Sequence, residues 1–297
     1  MNFKKVFNKF FNLVFGDRAC EASPLRTQWI SAQSPPLRTK RLGTKDLPLR
    51  LFSNILKFVF PKRCIICDTI LPFGKGINYE YLCKKCIKSI HFITEPYCKK
   101  CGAKINDIDS AYCDRCKSQY SKTKSNYSFG FGLCRYTNNI KNSLHKIKYD
   151  GRYEYLEFYG KLIANIYYKK IKKLNIDAFI QVPIHRERLL SRNYNQAEVL
   201  AMHICNHLKN YNIDIKVDNE YIIRTKSTKK LNKLSNAERK NELTNAFTIK
   251  KHPQYKNVCI IDDIYTTGST IENLSGLIKK DTVSNIYFLV IAVVDNI

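Results

Sequence analysis

The residues best suited to chemistry lie near the carboxyl end of the chain. Val258-Cys259-Ile260-Ile261 is an uninterrupted apolar run, Asp262-Asp263 follow it at once, and Ile264-Tyr265 lead into Thr266-Thr267-Gly268-Ser269-Thr270. The apolar run predicts a buried parallel strand. Open α/β sheets bind ligands at the carboxyl ends of their strands, which is where these two carboxylates fall. The hydroxyl-rich loop opens a helical pattern over residues 269–280. Successive backbone N–H groups there can turn toward an anion, and the helix N-terminus adds about half a positive charge. The pattern suits a sugar phosphate. Thr266, Thr267, Gly268, Ser269 and Thr270 would hold the phosphate, and Asp262 and Asp263 would reach the ribose hydroxyls. The bland alternative is a buried strand ending in two solvated aspartates, with Thr266 capping a helix.

A second set of reactive residues is the cysteines. Eight of the twelve form Cys-x-x-Cys pairs: Cys64 with Cys67, Cys83 with Cys86, Cys98 with Cys101 and Cys113 with Cys116. Two such knuckles close one tetrahedral thiolate site, so this spacing reads as two structural zinc sites. Iron–sulfur ligation is the main alternative, and interleaved pairing stays open. With four thiolates at each zinc, no position remains for water or substrate. A region this small has little core of its own, so metal is expected to supply its stability, and chelation to unfold residues 64–116 while the C-terminal part survives.

These groups sit in a chain of 297 residues with a formal charge of +26. The charge is spread as +7 over residues 1–50, +8 over 51–126 and +11 over 127–297. It fits a polyanionic partner, or a compositional drift toward lysine. No run approaches the roughly 20 apolar residues of a membrane span. The expectation is a cytoplasmic protein, with surface contact at the inner face of the membrane left open. Residues 3–15 carry a loose amphipathic pattern, and residues 21–50 repeat Pro-Leu-Arg and hold four of the nine prolines. Three segments result: an N-terminal helix with a Pro-rich insert or linker over 1–50, a zinc-ribbon unit over 51–126, and an α/β unit over 127–297. In the last, predicted strands at 178–182, 221–224, 258–261 and 286–294 alternate with predicted helices at 152–173, 194–209 and 269–280. That alternation argues for a central parallel sheet. Around the cysteines, Lys62, Arg63, Lys84, Lys85, Lys88, Lys99, Lys100, Arg115 and Lys117 are interleaved with Phe73, Tyr79, Tyr81, Phe92, Tyr97 and Tyr112. Charge with stacking surface suits single-stranded nucleic acid. Aromatics packed around the metals, with solvated lysines, is the competing reading.

The segment from Val258 to Thr270 resembles the phosphoribosyl pyrophosphate (PRPP) motif of type I phosphoribosyltransferases. In that family the loop after a short strand holds the pyrophosphate, which points to residues 182–186 here. Arg186, Arg188 and Arg192 are candidates to neutralise it, because forked donors suit phosphate oxygens. Further motifs narrow the resemblance to the ComF/GntX family. They are Lys148-Tyr149-Asp150-Gly151, the run Arg192-Asn193-Tyr194-Asn195-Gln196, and the series Arg224, Thr228, Leu234, Arg239 and Ala246-Phe247, all after the four cysteine pairs. The resemblance covers residues 51–297. It implies a type I phosphoribosyltransferase-like domain binding PRPP with Mg²⁺, an association with DNA uptake, and partners among single-stranded DNA and the DNA-translocation machinery. A non-catalytic DNA-binding competence factor and a purine-salvage transferase are the alternatives. Three positions depart from the family pattern: Asn193 stands for Gly, Leu231 for Gln and Glu242 for Asn.

Overall fold

A computed structural model describes residues 61–71, 81–120, 124–226, 246–281 and 283–295. The expectations for residues 1–60, and for Phe73, Tyr79, Thr228, Leu231, Leu234, Arg239 and Glu242, lie outside the described residues. Five parallel strands form one sheet in the order β1 (Phe129–Arg135), β7 (Asn285–Val293), β6 (Asn257–Tyr265), β2 (Ala178–Gln181), β3 (Lys216–Asp218). A separate antiparallel pair joins β4 (Ile222–Arg224) to β5 (Phe247–Ile249). The α/β class with a central parallel sheet, preceded by a four-cysteine module, is as the sequence predicted.

The strands alternate faces, so each side of the sheet has its own core. Cys259 and Ile261 of β6 pack with α2 (Asn138–Tyr149), α3 (Tyr155–Lys173) and α5 (Gln196–Leu208). Val258 and Ile260 face the other way, against α6 (Ser269–Ile278) and the β4–β5 pair. Helix α3 forms because Tyr155, Leu156, Tyr159, Leu162 and Ile163 recur at helical spacing, and all are buried. It crosses α5 closely at Gly160, where a Cβ would come within 2.6 Å of the His203 Cβ.

The cysteine region is packed directly on this scaffold. Segment 91–93 bonds along the free edge of β1: Ile93 N–H donates to the Leu133 carbonyl at 3.1 Å, and Arg135 N–H to His91 at 2.9 Å. Gly130 N–H donates to the Lys100 carbonyl at 2.8 Å. At Gly102, whose φ is +74°, an added Cβ would lie 2.8 Å from the Phe131 Cα, so the knuckle turn sits on the strand backbone. The first knuckle joins the α3 side. Tyr81 donates to Glu157 at 2.7 Å, and Tyr155 donates to Asp68 at 2.6 Å. Cys64, Ile65 and Leu82 share one buried cluster with α2 and α3, while Cys98, Cys101, Cys113 and Cys116 share the other with β6 and α6.

Because both cores run through the ribbon, metal removal is not expected to leave residues 127–297 unaffected. Chelation should lower the melting temperature of the whole chain and expose amides of β1 to hydrogen exchange. Unchanged protection of the Gly130 and Arg135 amides after complete metal removal would oppose this.

Candidate anion site and two thiolate clusters

The site begins where β6 outruns its neighbour. Strand β2 ends with Gln181 opposite Ile261, whereas β6 continues beside β7 alone, with Asp262 opposite Val290 and Tyr265 opposite Val293. The apolar run alone predicts a strand that ends at Ile261. Its extension to Tyr265 puts the two aspartates inside the strand, on opposite faces. Asp263 is 6% exposed and forms an ion pair with Lys148, from the last turn of α2. Asp262 is partly exposed, and its Oδ1 accepts the Asp263 N–H at 2.8 Å.

The two carboxyls are driven apart. Burial and the neighbouring Asp263 carboxylate push Asp262 well above the ordinary carboxylate range. Burial would raise Asp263 too, but the Lys148 ammonium outweighs it and holds Asp263 low. Burial opposes the charge on Lys148, yet Asp263 wins and the pKa is raised.

Four guanidinium groups complete the surroundings. The segment 182–185 leads into α4 (Arg186–Arg192), a short helix that begins at the last residue of the expected pyrophosphate loop. Arg188 and Arg192 lie one turn apart, and Arg186 is exposed at the first position. Burial, then repulsion from Arg192, lowers Arg188. Burial lowers Arg224 to about 10, with Arg188 adding repulsion and Asp262 opposing it. Arg192 donates to the Gln196 Oε1 at 3.1 Å and lies 5.2 Å over the Tyr149 ring. Crowded arginines that lower one another suit a polyanion, which would relieve the repulsion. Asn193 ends α4 at φ +64°, a left-handed residue, so Asn meets the demand that glycine meets in the family pattern. Asn195 is a strut: it caps α5 and donates to the Val182 carbonyl at 3.1 Å.

The loop of Thr266, Thr267, Gly268, Ser269 and Thr270 opens α6 as predicted. Gly268 adopts φ +81° as the N-cap, and a Cβ there would lie 2.3 Å from the Tyr265 hydroxyl. Thr267 Oγ1 and Ser269 Oγ are 2.9 Å apart. A cavity of about 310 Å³ lies elsewhere, lined by Lys104, Tyr112, Lys117, Arg135 and Asp295 among others; neither aspartate of the pair lines it.

The eight cysteines form two groups, Cys64, Cys67, Cys83 and Cys86, and Cys98, Cys101, Cys113 and Cys116, each with all sulfurs within 4.8 Å of one another. This is the sequential pairing. The Sγ–Sγ distances of 3.8 Å for Cys67–Cys83 and 3.6 Å for Cys101–Cys113 are far too long for disulfides. They match the separation of about 3.8 Å that four Zn–S bonds of about 2.3 Å impose on a tetrahedron. Although burial opposes it, Thr69 holds Cys67 down at about 6, and Cys101 does the same for Cys98. The donor set fits zinc in both clusters.

The aromatic residues between the cysteines mostly face inward. Tyr81 is buried, Phe92 packs on the core, and the Tyr97 ring lies 5.4 Å from the Lys170 ammonium. Lys100 turns in to the Tyr127 and Ser128 carbonyls. Lys84, Lys85, Lys88, Lys99 and Lys117 are exposed, with Tyr112 at 48%. Among the described residues, three of the four expected stacking aromatics are thus engaged in packing, while much of the positive charge remains at the surface.

Lys148, Arg188, Arg224 and Arg115 gain weight that spacing alone did not give them. Lys148 and Arg224 were visible only as motif matches. No local pattern could say that either approaches the acidic pair.

A double zinc ribbon domain family matches residues 55–117. The chain is 36% identical over 107 residues to competence protein F of Haemophilus influenzae, covering 35% of this chain and 44% of that protein. It is 28% identical over 141 residues to the DNA utilization protein YhgH of Escherichia coli K12, covering 46% of this chain and 60% of that protein. The YhgH protein of Salmonella typhi is 26% identical over 149 residues, or 49% of this chain and 63% of that protein. The chain thus spans about half the length of the curated relatives it matches. Among the described residues no helix is long and apolar enough to cross a membrane.

Asp263→Asn should leave Lys148 without its counter-ion and cost about 2–3 kcal/mol, below the roughly 3–5 kcal/mol of a fully buried pair because a fifth of the Lys148 side chain is exposed. Adding Lys148→Met should recover much of that loss in a double-mutant cycle read by denaturant unfolding. Asp262 gives a pH signature. Its raised pKa means the folded chain keeps this proton to higher pH than the unfolded chain, so it costs stability as pH rises above the ordinary carboxylate value. The melting temperature of Asp262→Asn relative to wild type should therefore climb with pH through that window. A flat difference would contradict the raised Asp262.

Proposed function

We propose, starting from a ComF-like chain, that this protein binds PRPP with Mg²⁺ at the carboxyl edge of β6 and serves DNA uptake. The observation that carries the ligand reading is the acidic pair of β6, set just before a helix-opening loop and within electrostatic reach of Lys148 and Arg224, which in turn feel Arg192 and Arg188. The names of the relatives, a competence protein and DNA utilization proteins, support the biological role. The ribbon match and the thiolate geometry support two structural zincs, which leave the chemistry to the α/β part.

In this reading the 5′-phosphate takes the amides of residues 266–270, with Thr267 and Ser269 adding hydroxyls. Asp262 faces the ribose, and Asp263 holds Lys148 at the edge of the same site. Arg188 and Arg192, joined by Arg186 once a ligand draws it in, take the diphosphate, and Arg224 approaches from the β4–β5 side. Mg²⁺ would be held by diphosphate oxygens with the Asp262 carboxylate and would balance the diphosphate charge. The transition state of phosphoribosyl transfer is ribosyl cation-like. The protein's part is then positioning and charge stabilisation rather than covalent chemistry. Single-stranded DNA is proposed to meet the exposed ribbon lysines chiefly through its phosphates, since most of the aromatics there are packed.

Calorimetric titration of the full chain with PRPP and Mg²⁺ is expected to give binding that Asp262→Asn abolishes and Arg192→Ala weakens roughly tenfold, the usual worth of a charge-assisted bond. Wild type that binds no PRPP would end the ligand reading. Gel shift with single-stranded DNA should weaken steeply with salt, with a shallower slope after Lys84, Lys85 and Lys88 are changed to Gln. Salt-independent retention would end the DNA reading.

A further inference from the structure

Arg115 touches both chemical centres of the molecule. It lies between two ligands of the second cluster, Cys113 and Cys116, at the start of α1 (Asp114–Tyr120). Its Nη2 is 3.8 Å from the Sγ of Cys101, a third ligand of the same cluster. Its Nη1 donates to the carbonyl of Thr266, the first residue of the anion loop. Nη2 also reaches the Val294 carbonyl at 3.4 Å, beyond the end of β7, and the guanidinium lies 5.2 Å over the Tyr265 ring.

The groups it touches shape the loop. Tyr265 stacks on Phe288 with ring centroids 4.7 Å apart and meets the Tyr127 hydroxyl at 3.0 Å. Its own hydroxyl occupies the space a Cβ at Gly268 would need. The same side of the loop is tied a second time, because Glu272 in the first turn of α6 accepts the Asn126 N–H at 2.8 Å and the Ser125 hydroxyl at 3.1 Å. A planar fork that spans a sulfur and a carbonyl transmits displacement of one to the other, which a flexible ammonium would do poorly.

We infer that Arg115 is a positioning residue coupling zinc in the second cluster to the conformation of the anion loop, so that metal and phosphoribosyl ligand stabilise one another. This rests on the PRPP reading above. Zinc drawn to Cys101 fixes the guanidinium and the guanidinium fixes the Thr266 carbonyl, which sets the direction of the amides that follow it. Linkage requires the reverse effect: a ligand that orders the loop must slow loss of metal from this cluster. The first cluster packs on the α3 side, away from the loop, and serves as an internal control.

The test uses the full zinc-loaded chain, wild type, Arg115→Gln and Arg115→Lys. PRPP with Mg²⁺ is titrated calorimetrically. Metal loss to a chelator is followed at each cysteine by alkylation and mass spectrometry, with and without PRPP. PRPP should slow alkylation of Cys98, Cys101, Cys113 and Cys116 several-fold in wild type and leave Cys64, Cys67, Cys83 and Cys86 unchanged. Arg115→Gln should bind PRPP about tenfold more weakly and lose that protection, a size usual for groups bonded to metal ligands. Arg115→Lys, which keeps the charge without the fork, should fall between, and it decides the matter if the Gln variant fails to fold. Wild type that binds PRPP without protecting the second cluster, or variants that bind and protect as wild type does, would overturn the coupling alone. Wild type that binds no PRPP would remove the ligand reading and this inference together.

Discussion

A parallel sheet cannot leave its edge strand bare without offering a row of unpaired amides and carbonyls to other chains. In this molecule the edge strand β1 is covered by the cysteine region. Segment 91–93 and Lys100 take up backbone groups of β1, and Gly102 rests against the backbone of Phe131. Gly102 makes the approach possible, while Gly130 and Gly132 of β1 answer to the neighbouring strand, since any Cβ there would strike Phe288 or Val293 of β7. Much else follows from this contact. It puts one thiolate cluster on each side of the sheet, and it brings the second within reach of the loop after β6.

The electrostatics of the site follow from a similar geometric fact. Strand β6 runs past β2, so two consecutive carboxylates emerge where no neighbouring strand covers one side. Strand alternation then separates them. Asp263 turns toward α2 and is neutralised by Lys148, whereas Asp262 keeps its proton to higher pH and faces the arginine side. Two identical residue types thus acquire different roles from their faces. An anion there would meet one settled carboxylate and one responsive one, beside arginines that repel each other.

The ribbon resolves a tension in the composition. Its aromatic residues and lysines compete for the same small surface. Among the described residues Tyr81 and Phe92 pack on the α/β part, because a unit with so few apolar residues must recruit core from its neighbour, while Tyr112 stays exposed. Lysines such as Lys84 and Lys85, whose charges gain nothing from burial, stay in water.

Much of this was legible in the chain. Periodicity is local, so the central strand, the α/β alternation, most helices and the loop that opens α6 could be read directly. Metal-ligand spacing is local too, and eight cysteines in four pairs foretold both clusters. The boundaries of β6 escaped because Asp262 and Asp263 break an apolar pattern that the backbone nonetheless continues beside β7. Helix α4 escaped because it is short, Arg-rich and without a buried face. Sequential pairing of the cysteines, the partnership of Lys148 with Asp263 and the bridge from Cys101 through Arg115 to Thr266 were decided only by tertiary structure. Each joins residues from separate elements, and which charged side chains meet is set by how strands and helices pack, a long-range outcome that spacing along the chain does not encode.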